Sequence, residues 1–162
     1  MAASVRSHNR KTDYYDWPNR QAEALRLNRQ PFLDWENLAE ELEAMSARER
    51  RELISHLRIL MAHLLKWKFQ HQRRGETSWE RSFVVARQEI AGSLADSPSL
   101  KPLLDECAAK AYQDARRLAG SEMKLQRQGS NRLFPASCPW LPAQLLDDDF
   151  LPSPAVGEKP RG

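Results

Sequence analysis

Leu53-Ile54-Ser55-His56-Leu57-Arg58-Ile59-Leu60-Met61-Ala62-His63-Leu64-Leu65-Lys66-Trp67 returns an apolar side chain every three or four positions. That period is the signature of an α-helix with one buried face. Leu53, Leu57, Leu60, Leu64 and Trp67 form the stripe, and Ile54, Met61 and Leu65 widen it. Neither Pro nor Gly interrupts it before His71. Upstream, Ser46 is followed three residues later by Glu49, a reciprocal capping pair, so the spacing predicts a helix from Ser46 to about His71. At 1.5 Å per residue it is roughly 37 Å long, which makes it the central element.

Working outward, Trp35, Leu38, Leu42 and Met45 recur at the same steps behind Asp34, a good acceptor for free helix N–H groups. They predict a separate helix with that face turned inward. An earlier helix is expected from about Asp16 to Arg29, with Pro18 tolerated in its first turn and Pro31 closing it. Beyond the Gly75 loop, with Thr77 or Ser78 as caps, Trp79, Phe83, Ala86, Ile90 and Leu94 form a fourth stripe. A turn at Asp96-Ser97-Pro98-Ser99 leads to a fifth, carrying Leu103, Leu104, Cys107, Ala111, Tyr112, Ala115, Leu118 and Ala119. After Leu125 the chain is polar, and Phe134-Pro135-Ala136-Ser137-Cys138-Pro139-Trp140 reads as a proline-stiffened strap docked through Phe134 and Trp140. A short helix is expected at Pro142 to Leu146. No segment alternates as a strand does. The expected fold is therefore all-α: a single-domain bundle of about five helices with a proline-rich C-terminal strap. Residues 13–152 make up the helical domain, with disorder expected at 1–12 and 153–162.

Composition agrees with a folded core. The chain has 162 residues, 41% hydrophobic and 29% charged, with a formal net charge of +3. No run of ~18 apolar residues suggests a membrane span, and no apolar stretch follows the first basic residues as a secretory signal requires. Cys107 and Cys138 have no CxxC partners and read as reduced thiols, so the expected compartment is the cytoplasm. Charge is uneven along the chain: residues 31–46 hold five carboxylates and no Lys or Arg, whereas 47–81 hold nine cations and four anions. Two packed neighbours or two solvated faces explain such a reversal more simply than a nucleic-acid footprint does.

Three functional readings follow from the side chains. Glu52, His56 and His63 share a helix face and are legitimate metal ligands, which Glu40 or Glu41 could join. Seven residues between the histidines span about 10.5 Å, too far for one ion at ~2.1 Å, and neither HExxH nor ExxH is present. They read more simply as border histidines bonded to nearby carboxylates; no metal and no cofactor are expected. Lys66, Lys68, Arg73, Arg74 and Arg81 interleave with Trp67, Phe69 and Trp79, a pattern able to hold phosphates and stack bases. Against it, both tryptophans lie on apolar stripes, and cations at a helix C-terminus complement its dipole without any ligand. For an enzyme the chain offers neither GxSxG nor a Gly-rich phosphate loop. Cys138 has no evident base, and Asp147-Asp148-Asp149 lacks the pattern of a calcium loop. The preferred reading is a non-enzymatic module that contacts a protein partner or a second copy of itself. A nucleic-acid accessory protein is the runner-up and a metal-dependent bundle enzyme the third.

A resemblance adds to this. Leu33-Asp34-Trp35-Glu36-Asn37-Leu38-Ala39-Glu40-Glu41-Leu42-Glu43, then Leu57 to Trp67, Gln70, Arg73, Ser78-Trp79, Ser97-Pro98-Ser99-Leu100 and Phe134 to Trp140 follow one another in an order that resembles the bacterial family catalogued as "domain of unknown function 29". The resemblance covers roughly residues 13–152. It implies an all-α fold in a small bacterial protein and supplies no activity, ligand or catalytic residue. Pro18, and His71 after Gln70, depart from the family's usual pattern.

Overall fold

The computed structural model describes residues 10, 11, 13–70 and 79–155, with the side chain of Trp79 outside that set. Six α-helices and no strand occur among them: α1 Asp16–Arg26, α2 Trp35–Phe69, α3 Trp79–Asp96, α4 Leu104–Glu122, α5 Arg127–Leu133 and α6 Pro142–Leu146. The all-α class holds. The chain divides into two compact units, Met1–Arg48 and Glu49–Gly162, and α2 runs through the boundary. The expected tails lie outside the described residues, apart from Arg10, Lys11 and residues 153–155.

In the first unit the Asp13 side chain accepts the Asp16 N–H at 2.9 Å and so opens α1. The helix stops three residues short of the expected Arg29. Asn28 adopts φ 51°, and the Asn28 and Arg29 N–H groups bond back to the Leu25 and Ala24 carbonyls at 3.1 and 2.8 Å. Those paired bonds are a Schellman closure, with Asn in the left-handed position it tolerates best after Gly. Gln21 is buried; its amide donates to the Phe32 carbonyl at 3.3 Å and accepts the Asp34 N–H at 2.8 Å, which fixes the connection onto α1 beside Trp17 and Ala24. Asp34 caps α2 as expected, accepting the Asn37 N–H at 3.3 Å. Hydrogen bonds from Asn37 hold its carboxyl below the usual range.

Two expected helices are in fact one. α2 is continuous over 35 residues, about 52 Å at 1.5 Å per residue. The reason is local: the Ser46 hydroxyl donates to the Leu42 carbonyl one turn back, at 3.4 Å, instead of capping a new start. The first half of this helix also corrects the expectation of burial. Trp35, Leu42 and Met45 are 60%, 64% and 57% exposed, and Leu38 is half-buried.

The second unit is a bundle around the later half of α2. Leu53, Leu57, Leu60 and Leu64 meet Phe83, Ala86, Ile90 and Leu94 of α3, and Cys107, Ala111, Ala115 and Ala119 of α4, in one buried cluster. The alanines of α4 allow close approach. The Pro98–Leu103 segment is a 3-10 turn, so α4 starts at Leu104, and Ser97 bonds to Glu49 at 3.3 Å instead of capping. The strap is docked as expected: Phe134 and Trp140 are buried, and Tyr112 donates to the Pro135 carbonyl at 2.9 Å. α6 appears where expected, and α5 occupies a stretch read from sequence as merely polar.

Candidate functional site

α2 and α3 are antiparallel within the second unit. His63 and Trp67, near the end of α2, meet Phe83 near the start of α3, with ring centroids 6.4 and 5.8 Å apart; at the opposite end Ser97 reaches Glu49. Between them lies a groove of about 320 Å³ lined from α2 by His56, Ile59 and His63. From α3 it is lined by Arg81, Ser82, Val85, Ala86 and Glu89. Each set repeats at helical steps, so one face of each helix builds a wall. Ile59, Val85 and Ala86 make the middle apolar. By the antiparallel order, His63 and Arg81 mark one end and His56 and Glu89 the other.

His56, His63 and Arg81, singled out for two different reasons in the sequence, thus line the same groove. Glu52 joins only through His56, with its Oε1 3.7 Å from Nε2. Among the described residues, no three His, Cys, Asp or Glu side chains are grouped closely enough to hold a metal ion. Burial, followed by the charge of Lys66, pushes the His63 imidazole below its ordinary value, and Nδ1 is buried without a hydrogen-bond partner among the described residues. His63 is therefore a neutral, partly desolvated imidazole at neutral pH. Sequence reasoning missed Ser82, Val85 and Glu89. Their signal was a second set at helical steps, Ser82-Val85-Glu89, beside the main α3 stripe.

The basic-aromatic segment is only partly described. Lys66 is paired with Glu122, and Lys68 Nζ sits 5.8 Å from the Phe69 ring. Phe69 packs edge-on against Phe134, and the Lys68 carbonyl accepts the Ala155 N–H at 3.1 Å. Arg81 lines the groove. Arg73 and Arg74 lie outside the described residues, as do Gly75, Thr77 and Ser78. Cys138 is half-buried and its thiol donates to the Trp140 carbonyl at 3.4 Å; burial pushes its pKa up, so it is a poor nucleophile. The Asp147 carboxylate accepts the Asp149 N–H at 3.0 Å, closing a turn after α6.

The first unit presents a different surface. Trp35, Leu38, Leu42 and Met45 follow 3-4-3 spacing along one side of α2, the seam pattern of a helix that pairs with another helix. Asp34 and Glu41 lie nearest this stripe, whereas Glu36, Glu40 and Glu43 fall towards the other side of the helix. Arg10 pairs with Glu40 and with Glu41, the latter at 2.8 Å, and Tyr14 donates to Glu41 at 2.9 Å. Lys11 lines the same hollow as Arg10, Glu36 and Glu40, so two cations offset part of the charge of the five carboxylates.

Among the described residues no helix is long and apolar enough to cross a membrane. No curated protein and no solved structure matches the chain. A family does match, over residues 11–151, nearly everything described above. The chain belongs to the family described as "Domain of unknown function DUF29".

Proposed function

We propose that this protein is a non-enzymatic interaction module that binds a basic amphipathic helix of another protein along the first half of α2. The observation that carries this reading is the seam of Trp35, Leu38, Leu42 and Met45, at three- and four-residue steps and exposed at all but Leu38, inside a stretch with five carboxylates and no Lys or Arg. Apolar positions at that spacing fit the ridges of a helix better than a flat surface. Burying three large side chains would favour binding by about 1.5–3 kcal/mol each before ordering costs. Charge favours a basic partner: α2 up to Ser46 carries four glutamates, Glu36, Glu40, Glu41 and Glu43, only partly offset by Arg10 and Lys11, so lysines or arginines on an incoming helix would be attracted more than a second acidic copy. The two unpaired thiols, Cys107 and Cys138, support a reducing, cytoplasmic setting.

The test is a titration of the full chain with a synthetic helix bearing leucines at three- and four-residue steps and lysines elsewhere, read by anisotropy of a dye on the peptide. Saturable binding that weakens with salt and is lost in Leu42→Glu supports the reading. Unaltered binding to Leu42→Glu would overturn it. So would light scattering that shows a wild-type dimer dissociated by the same substitution, because the seam would then serve a second copy.

A further inference from the structure

α4 and α5 pack tightly against each other at Gly120. A Cβ on Gly120 would lie 2.1 Å from Ser130 Oγ and 3.0 Å from Ser130 Cβ, so only glycine fits there. The reversal between them is a Schellman closure: Lys124 takes φ 57° and donates to the Ser121 carbonyl at 3.0 Å, and Leu125 donates to Gly120 at 2.8 Å. This tight turn brings side chains of both helices around one concavity of about 570 Å³. Arg116, Arg117 and Ser121 come from α4, and Arg127, Ser130 and Asn131 from α5. Among the described residues no carboxylate lines it.

Arg116 is the informative member. Its Nε is buried without a hydrogen-bond partner among the described residues. Its terminal nitrogens reach Gln113 Oε1, Asn131 Oδ1 and the Phe134 carbonyl all at 3.4 Å, near the outer limit of a hydrogen bond. A guanidinium normally spends its five donors at shorter distances, and a carboxylate or phosphate satisfies them in pairs. Arg117 is partly neutralised by Asp114, an exposed i,i+3 pair that contributes little and can open. Arg127 adds a third guanidinium, and the Ser121 and Ser130 hydroxyls and the Asn131 amide add neutral donors. Three cations, among the described residues only one of them paired with a carboxylate, and several donor groups in a single hollow describe a site for a multiply charged oxyanion. The hollow is larger than a lone phosphate needs and falls within the range of small-molecule pockets. A polyanionic strand would instead call for cations spread along a face.

We propose that the α4–α5 hollow binds the phosphoryl groups of a small phosphorylated ligand, with Arg116 and Arg127 as the principal contacts. This is independent of the α2 seam. The test is calorimetric titration of the full chain at near-physiological salt with pyrophosphate and with a nucleoside triphosphate. Saturable binding at one site, a rise in melting temperature, and a loss of affinity of tenfold or more in Arg127→Gln are expected. Arg127 is exposed, so that variant keeps its fold, and Arg116→Gln with an unchanged circular dichroism spectrum provides the second check. Tighter binding by the triphosphate than by pyrophosphate would show that the hollow also holds the ligand's body; equal binding would show that phosphoryl groups alone are read. The proposal is overturned by absence of saturation at millimolar ligand, by equal affinity in Arg127→Gln, or by tighter binding of oligonucleotides that grows with their length.

Discussion

Arg87 Nη2 donates to the Phe150 carbonyl at 2.7 Å, across 63 residues of sequence. The same guanidinium donates to the Leu145 and Asp148 carbonyls at 3.1 and 3.0 Å, so one α3 side chain fastens the whole turn after α6. It is buried, and that burial pulls its pKa below the ordinary arginine value, with Asp148, Asp147 and Asp149 opposing the shift. Arg87→Met removes the donors and leaves three carbonyls to find water. A loss of about 3 kcal/mol is expected, seen as a melting temperature lower by roughly 6–12 °C. Arg87→Lys, with a single ammonium head, should recover only a minor part. A melting curve for Arg87→Met that overlays the wild type would show that the clamp contributes nothing.

Gly120→Ala tests the close approach of α4 and α5. The new methyl collides with Ser130, and moving α5 away should cost about 1–3 kcal/mol. Adding Ser130→Gly removes the colliding atoms and should return most of the loss, less the ordinary cost of a helical glycine. A double-mutant cycle by urea denaturation isolates the coupling; additive effects would mean that the two residues do not touch.

These sites show which parts of the fold could be read from residues alone. The α2 stripe from Leu53 to Leu64, the α3 stripe and the docking of Phe134 and Trp140 were legible because apolar spacing and proline stiffness act locally. The break at Ser46 was misread because a serine three residues before a glutamate suits a helix start and a helix interior equally well, and the Leu42 carbonyl decided between them. Spacing also identifies an apolar face without saying what covers it, so it places Trp35, Leu42 and Met45 inward although they are exposed. Arg87, amid Val84, Val85 and Ala86, gave no sign that its partners lay near the C-terminus. The groove joining His56, His63 and Arg81 depends on the pairing of α2 with α3, which neither helix encodes by itself.

Two leucines on α2 provide a direct comparison. Leu57 is completely buried, and Leu57→Ala should cost about 2–5 kcal/mol. Leu42 is mostly exposed, and Leu42→Gln should change stability by no more than about 0.5 kcal/mol. Urea midpoints of the two variants give the contrast. A large loss in Leu42→Gln would mean that the seam is already covered in the isolated chain, and the proposed helix partner would have nowhere to sit.

Tyr112 is buried against Trp140, its ring 6.3 Å away and edge-on, and donates to Pro135. Burial pushes its phenol up to about 12. The unfolded chain therefore gives up this proton near pH 10 while the fold retains it, so stability must fall as pH rises from 10 towards 12. Tyr112→Phe should cost about 1 kcal/mol at neutral pH through the lost hydrogen bond. It should also lose stability less steeply above pH 10. Urea denaturation at pH 9 and pH 11 separates the two effects; equal slopes would place the phenol in water.

His63 makes the opposite prediction at acid pH. Its folded pKa lies below 6.5, set first by burial and then by Lys66, with Glu122 opposing; Arg81, Glu89 and His56 line the same groove. The unfolded chain takes up a proton as pH falls through 6.5, before the fold does. The contribution of His63 is thus fully present above pH 6.5 and is lost as pH drops through the folded value. His63→Leu removes both the titration and the buried Nδ1 that has no partner among the described residues, and it keeps an apolar neighbour for Phe83. Relative to wild type the variant should gain stability steadily between pH 7 and pH 5, measured by urea midpoints. Parallel curves would mean that the imidazole is solvated. A rising difference would mean that at neutral pH the groove holds an uncharged imidazole beside Ile59 and Val85, so the fixed charges at its two ends, Arg81 and Glu89, set its polarity.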